Sequence, residues 1–359
     1  MTETQPPPPL PMPERLIPVM MAPPAKRWSV VRFLIRAFVG MALAGSILLN
    51  LCLLAMVGMS MGGTFQTSTA RNGHASQTVA VYTVAGVIDA NQAARFQDFC
   101  DAVRADGNVK AVVLRVDSPG GGVGESDQMH NEVRRLQQAG KKVIVSMGTL
   151  AASGGYYISA SADEIVAEET TTTGSIGVLA MWVTMRGTLQ KIGAEPILMR
   201  STHAKDWKVA MNPIDPPTDR QRAHIQDRLD DMQKRFEKVV TEGRGERLRP
   251  HKVAQTVAVE NGGEPKQTDE VEPFNGKVYG PDEAMALGLV DAKGYLSDAI
   301  ERAGIAAGLT DPRVIIYKNR PTLSALLRGG SEGSAGLGIT RELIDDIQTP
   351  RILMMWKAQ

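Results

Sequence analysis

Three hydrophobic patterns succeed one another along the chain. Residues 37–61, AFVGMALAGSILLNLCLLAMVGMSM, are a continuous apolar run without a charge. At about 1.5 Å per residue, such a helix crosses a hydrocarbon core of roughly 30 Å. From residue 78 short β-branched runs take over: TVAVYTVAGVI (78–88), KAVVLRVD (110–117), KVIVSMG (142–148) and EIVAEE (164–169) read as strands. Between them lie segments of helical period, ANQAARFQDFCDAVRADG (90–107) and ESDQMHNEVRRLQQAGK (125–141). A helix is also expected from the end of the third run to about residue 162, and EPILM (195–199) reads as strand-like. A long charged helix over 217–244 and a mixed segment over 276–304 complete the compact part. Strands alternating with helices predict an α/β domain with helices packed on largely parallel strands.

The flanks of the apolar run orient it. Arg15, Lys26, Arg27, Arg32 and Arg36 precede it against Glu3 and Glu14, and the next charge after it is Arg71. The excess of basic residues places the N-terminus in the cytoplasm and the rest of the chain across the membrane. The run exceeds the 7–15 apolar residues of a cleaved signal peptide, so an uncleaved signal-anchor is expected. The chain then divides into a proline-rich, disordered cytoplasmic tail (1–36), a transmembrane helix (37–61), a linker (62–77), an α/β domain (78–318) and a C-terminal tail (319–359). The last residues, PRILMMWKAQ, suggest docking on a neighbour or membrane, or plain stickiness.

Composition narrows the function classes. A formal net charge of +1 over 359 residues argues against a general nucleic-acid binder. Of the two cysteines, Cys52 lies in the membrane run and Cys100 in the globular part, so no intramolecular disulfide is expected. Cys100 reads as a small core residue. The five histidines are scattered without metal-ligand spacing, so neither metal nor cofactor is expected.

Two glycine loops follow buried strands: DSPGGG (117–122), and TLAASGG (149–155) with Ser153 at a strand-to-helix junction. Loops at the carboxyl ends of strands line the crevice where an α/β sheet binds ligands. Unpaired backbone N–H groups there can stabilise an oxyanion on a carbonyl attacked by Ser153 Oγ. Taken alone, a small-Ser-Gly-Gly turn is more often a packing seam or a cap. A phosphate loop is disfavoured because GGGVGES lacks the lysine of that motif. A nucleophile needs a base, and RSTHAKDWKVAMNP (200–213) offers Lys205 and Lys208, with His203 beside them. A lysine serves if burial lowers its pKa from about 10.4 to about 7–8.

Three motifs in order, LRVDSPGGGVGES (114–126), AASGGYYISASADEIVAEETTTTGSIGV (151–178) and GKVYGPDEAMALGLVD (276–291), make the chain resemble the bacterial signal peptide peptidase A family in its half-length form. The resemblance covers roughly residues 78–305 and implies a Clp protease/crotonase-like domain of repeated β-β-α units, preceded by one transmembrane helix. It implies a membrane-anchored serine endopeptidase that degrades cleaved signal peptides or other extended apolar peptides outside the inner membrane. The nucleophile falls on Ser153 and the general base on Lys205, 52 residues later, with Lys208 in reserve. Ser175 of the TGSIG turn would hold the lysine. The oxyanion donors would be the N–H of Ser153 and that of Gly120 or Gly121. The resemblance also implies a homo-oligomer with shared active sites. STHAK replaces the family's usual S-G-x-Y-K, with Thr202 and Ala204 in place of Gly and Tyr. That departure is the one support for a second class of function, a catalytically weak membrane scaffold of the same fold.

Overall fold

The computed structural model describes residues 27–61, 65–204, 206–208, 210–259, 263–319 and 351–355. Contacts divide the chain into two units, residues 1–63 and 64–359.

In the first unit α1 (Arg27–Met61) is a single helix. Its stretch Val30–Leu54 is long and apolar enough to cross a membrane, with a mean hydropathy of 2.2. The apolar helix thus begins earlier than residue 37, taking in Arg32 and Arg36. Phe33, Phe38 and Leu54 are about 70% exposed.

The second unit is built on a sheet of nine strands. In chain order these are β1 (Phe65–Arg71), β2 (His74–Ala85), β3 (Val109–Ser118), β5 (Lys142–Ala152), β6 (Glu164–Ala167), β7 (Thr172–Gly174), β11 (Val278–Tyr279), β12 (Ala292–Lys293) and β13 (Pro312–Asn319). The spatial order is β1-β13-β2-β3-β5-β6-β12, and β7 joins the end of β5 to β11. From β13 to β12 every neighbour along this order runs parallel; β1 is antiparallel on its edge. A short strand β4 (Gly120–Gly122) follows β3.

The unbroken apolar runs of β2, β3 and β5 follow from burial on both faces. Val79 and Val81 of β2 pack with Ala111 and Val113 of β3 against Ala299 and Ala303 of α8 (Leu296–Ala306). The alternate residues Ala80, Tyr82, Val112 and Leu114 face the opposite side. There α2 (Ala90–Ala105) contributes Phe96 and Phe99, α3 (Val123–Gln138) Met129 and Val133, and α6 (Asp219–Arg244) Phe236 and Val240. Tyr82 stacks on Phe99 at 4.5 Å between ring centres. Cys100 is fully buried in this layer, and burial raises its thiol pKa well above the usual value.

Helix ends follow their caps. Asp89 accepts from Gln92 N at 2.7 Å to start α2, and Thr218 and Gln221 form a reciprocal capping box on α6. The remaining elements are α4 (Gly154–Ser159), β8 (Leu179–Met181), α5 (Arg186–Lys191), the hairpin β9 (His251–Val259) and β10 (Gly263–Glu272), α7 (Pro281–Ala286) and β14 (Arg351–Met355).

Two expectations differ from this fold. Residues 65–71, expected within a linker, pair with β13, and Phe65 meets Tyr82, Phe99 and Tyr317 edge-on. Residues 195–199 have no regular structure, and Ile197 and Met199 are 87% and 90% exposed. Residues 351–355 of the C-terminal tail, for which docking on a neighbour or membrane and plain stickiness were both open, form the strand β14.

Candidate active site

β5 delivers its chain end directly to Ser153. The backbone there turns from strand to helix with φ +52° and ψ −114°. That region costs a residue with a side chain on the order of 1–3 kcal/mol, so the surroundings must hold it. They do so from three sides. Ser153 N donates to Gly174 O at 2.7 Å, and Tyr157 N returns to Ser153 O at 2.8 Å. Tyr156 OH, fully buried in α4, donates to Leu289 O at 3.0 Å, and burial raises its pKa. Ser153 itself is 1% exposed, and its Oγ meets the Gly177 carbonyl at the long distance of 3.5 Å.

The glycine loop closes over the same point. Ser118 Oγ at the end of β3 donates to Gly86 O at 2.6 Å and accepts from Gly120 N at 3.1 Å, bending the chain back. Gly120 adopts φ +99°, and a Cβ on it would stand 2.6 Å from Gly154 N. A Cβ on Gly121 would overlap the carbonyl oxygen of Ile88. Glycine is therefore required at both positions by close backbone approach.

The TGSIG turn is the third part. Ser175 also has positive φ, +51°, and its N–H donates to Lys277 O at 2.8 Å. Gly174 and Gly177 on either side of it supply the two carbonyls that meet Ser153 N and Oγ. The fold thus brings Ser153, Gly120, Gly121 and the Ser175 turn together. Lys205 lies outside the described residues. Lys208 is exposed beside Trp207, and both line a cavity of about 350 Å³ against His224, Ile225 and Arg228 that does not include Ser153.

Two of the amides expected as oxyanion donors have other partners in the structure. The N–H of Ser153 is engaged by Gly174 O, and that of Gly120 by Ser118 Oγ. Gly154 N lies in the first turn of α4, where amides have no intrahelical acceptor, and it faces the Gly120 loop. A Cβ on Gly154 would stand 3.1 Å from Gly121 N, so the two backbone segments approach closely.

Behind α4 is a polar cluster that sequence spacing did not single out. Tyr157 OH donates to Asp127 Oδ1 at 2.6 Å, and Arg235 Nη2 donates to the same oxygen at 3.0 Å. Burial works against the Asp127 carboxylate, but these two bonds outweigh it and hold the pKa below the usual value. His130 Nε2 and Ser161 Oγ are 2.7 Å apart, and burial lowers the imidazole pKa to about 4. Arg244, 1% exposed, grips Asp291 through two bonds of 2.6 and 3.1 Å and donates to Gly288 O. These contacts tie α4 and α6 to the segment that follows α7.

Several known proteins have similar chains. A putative signal peptide peptidase SppA of Enterococcus faecium is 36% identical over 220 residues, 61% of this chain and 58% of that protein. Protease 4 of Salmonella typhi is 33% identical over 64% of this chain and 34% of its own length. The chain therefore spans somewhat over half of the first relative and about a third of the second. A putative protease of Synechocystis sp. is 30% identical over 65% of this chain and 78% of that protein. A ClpP1 variant from Listeria monocytogenes gives a TM-score of 0.37 at 14% identity, over 61% of this chain and 94% of that one. Residues 135–310 match the description Peptidase family S49, and with the Synechocystis relative covered over most of its length, the chain belongs to that family.

Proposed function

We propose that the protein is a membrane-anchored serine endopeptidase in which Ser153 is the nucleophile and Lys205 the general base. The observation that carries this reading is the Ser153 turn, a side-chain-bearing residue held at φ +52° beside the Gly154 amide and the Gly120 loop. In the reaction Ser153 Oγ attacks a peptide carbonyl carbon and its proton passes to the lysine amine. The carbonyl oxygen gains negative charge beside the N–H groups of Gly154 and Gly121, which stabilise it. The lysine then protonates the leaving amine, and water releases the acyl group by the same steps in reverse order. Ser175 steadies the lysine.

For Lys205 to accept a proton near neutral pH its pKa must fall by about 3 units, which corresponds to roughly 4 kcal/mol of disfavoured charge. A base so tuned makes activity rise with pH until the lysine is neutral. Substrates are extended apolar peptides such as signal-peptide remnants, met on the outer side of the inner membrane by a domain tethered through α1. Self-association brings such sites together in one assembly. The basic residues before and on α1 favour a cytoplasmic N-terminus.

Labelling with a serine-reactive phosphonate, mapped by mass spectrometry, tests the reading. Modification at Ser153, lost in Ser153→Ala and suppressed in Lys205→Ala but not Lys208→Ala, is the expected result. Full hydrolysis of an unfolded protein by Ser153→Ala would overturn it.

A further inference from the structure

Three buried side-chain polar atoms among the described residues make no hydrogen bond: Gln92 Oε1, Arg95 Nε and Ser126 Oγ. The first two belong to α2, and Gln92 is otherwise held through Nε2, which donates to Ala85 O at 3.0 Å. Ser126 differs from both, because the hydroxyl is its whole polar group. It is 0% exposed and lies near the start of α3, directly after the glycine loop.

A helical serine ordinarily turns its hydroxyl to the carbonyl four residues back. Here that carbonyl is Gly122 O, and no such bond forms. The hydroxyl instead faces across to α4. A Cβ on Gly154 would stand 2.5 Å from Ser126 Oγ and 3.1 Å from Gly121 N, so hydroxyl and loop amide approach Gly154 from the same side. Gly154 carries one of the two amides that receive the oxyanion in the proposed reaction.

A buried hydroxyl without a partner costs stability, and alanine would avoid that cost by losing a single oxygen atom. What the hydroxyl offers in exchange is a dipole of uncommitted direction, since its O–H rotates freely to suit its surroundings. Negative charge forming beside Gly154 N gives that dipole something to face, in an interior where such interactions are stronger than in water. A group idle in the ground state and engaged only in the transition state raises kcat without tightening substrate binding.

We infer that Ser126 is a positioning residue for the oxyanion. It abuts Gly154, fixes the line of that amide, and turns its unpaired O–H toward the negative charge as the tetrahedral intermediate forms. Its proton stays on its own oxygen throughout, so no further base is needed. The inference rests on the Ser153 peptidase reading and adds to it a residue that does not itself touch substrate.

A direct oxyanion donor is worth about 10²–10³ in kcat, and a dipole acting from behind that donor is expected to give about tenfold. The test measures Ser126→Ala and Ser126→Cys in the full chain in detergent. It uses a fluorogenic unfolded substrate, a peptide boronic acid and thermal melting. The boronic acid forms a tetrahedral, negatively charged adduct on Ser153, so its affinity reads oxyanion stabilisation separately from substrate binding. Ser126→Ala should lower kcat about tenfold at unchanged KM and weaken the boronate by the same factor. Its Tm should hold or rise, because the unpaired hydroxyl is gone. Ser126→Cys keeps the shape with a weaker donor and should give a kcat between the two.

Unchanged kcat and boronate affinity in Ser126→Ala would overturn the inference. So would a lower kcat that comes with a raised KM and a lower Tm, because Ser126 would then be an ordinary packing residue. Should Ser126→Ala fail to fold, Ser126→Cys decides alone: reduced kcat and boronate affinity at native KM support the inference, and native values overturn it. A native chain that neither hydrolyses the substrate nor takes the boronate on Ser153 defeats the peptidase reading, and this inference with it. An active native chain with an equally active Ser126→Ala defeats only the inference.

Discussion

Consider replacing His130 by glutamine. The imidazole is 5% exposed, and its Nε2 is 2.7 Å from Ser161 Oγ. Asp127, Arg134, Arg235 and Glu242 all act on it, but burial dominates and lowers its pKa from 6.5 to about 4. Above pH 6.5 both folded and unfolded chains carry a neutral His130, so it imposes no pH dependence. As pH falls below 6.5 the unfolded chain binds a proton that the folded chain refuses, and stability drops. The loss continues until about pH 4, where the folded imidazole is protonated too. At 1.36 kcal/mol per unit the whole window amounts to about 3 kcal/mol. Glutamine keeps a hydrogen-bonding side chain but cannot titrate. Urea unfolding of the full chain in detergent at pH 7, 5.5 and 4 reads the difference. The native protein should lose about 3 kcal/mol more than His130→Gln on going from pH 7 to pH 4. Parallel pH dependence in the two proteins would refute the reasoning, because other titrating groups are common to both.

Arg244→Ala should cost about 3–5 kcal/mol by leaving the Asp291 carboxylate without its buried partner; a loss near zero in thermal unfolding would make the exposed Arg247, 3.3 Å from the same carboxylate, the effective partner. Gly121→Ala should destabilise the chain and abolish hydrolysis, because the new Cβ overlaps the Ile88 carbonyl that receives Gly122 N at 2.9 Å. Gly124→Ala, three residues along and with open space around its Cα, should instead be neutral or stabilising by about 0.5–1 kcal/mol in the first turn of α3. Paired thermal melts and hydrolysis rates check both.

The sheet was legible because its strands are buried on both faces. TVAVYTVAGVI and KAVVLRVD are apolar at successive positions, and the structure divides those positions between two packed layers. β1 was not legible for the opposite reason. FQTSTAR is an exposed edge strand with six of its seven residues facing solvent, so only Phe65 carries a packing signal. EPILM misled because its apolar residues have the strand composition but no partner strand, and Ile197 and Met199 are left in solvent. At the site, the residue types marked Ser153, Gly120 and Gly121, but the direction of each amide is a backbone property. Only coordinates show that Ser153 N is taken by Gly174 while Gly154 N faces the loop. Asp127 and His130, three apart on α3, share a helix face, which was the available signal for the cluster behind α4.

The position of β13 has a consequence for how the chain acquires this structure. β13 lies between β1 and β2, pairing in parallel with β2 through Val79–Tyr82 and antiparallel with β1. Its residues, 312–319, are made long after the strands they separate. During synthesis β2 and β3 can pair early, but the outer edge of β2 stays open until the ribosome has released most of the domain. An unpaired edge of that kind invites strand addition from other chains. A transcript truncated before β13 should therefore yield a product that aggregates, with β1 left without its partner strand.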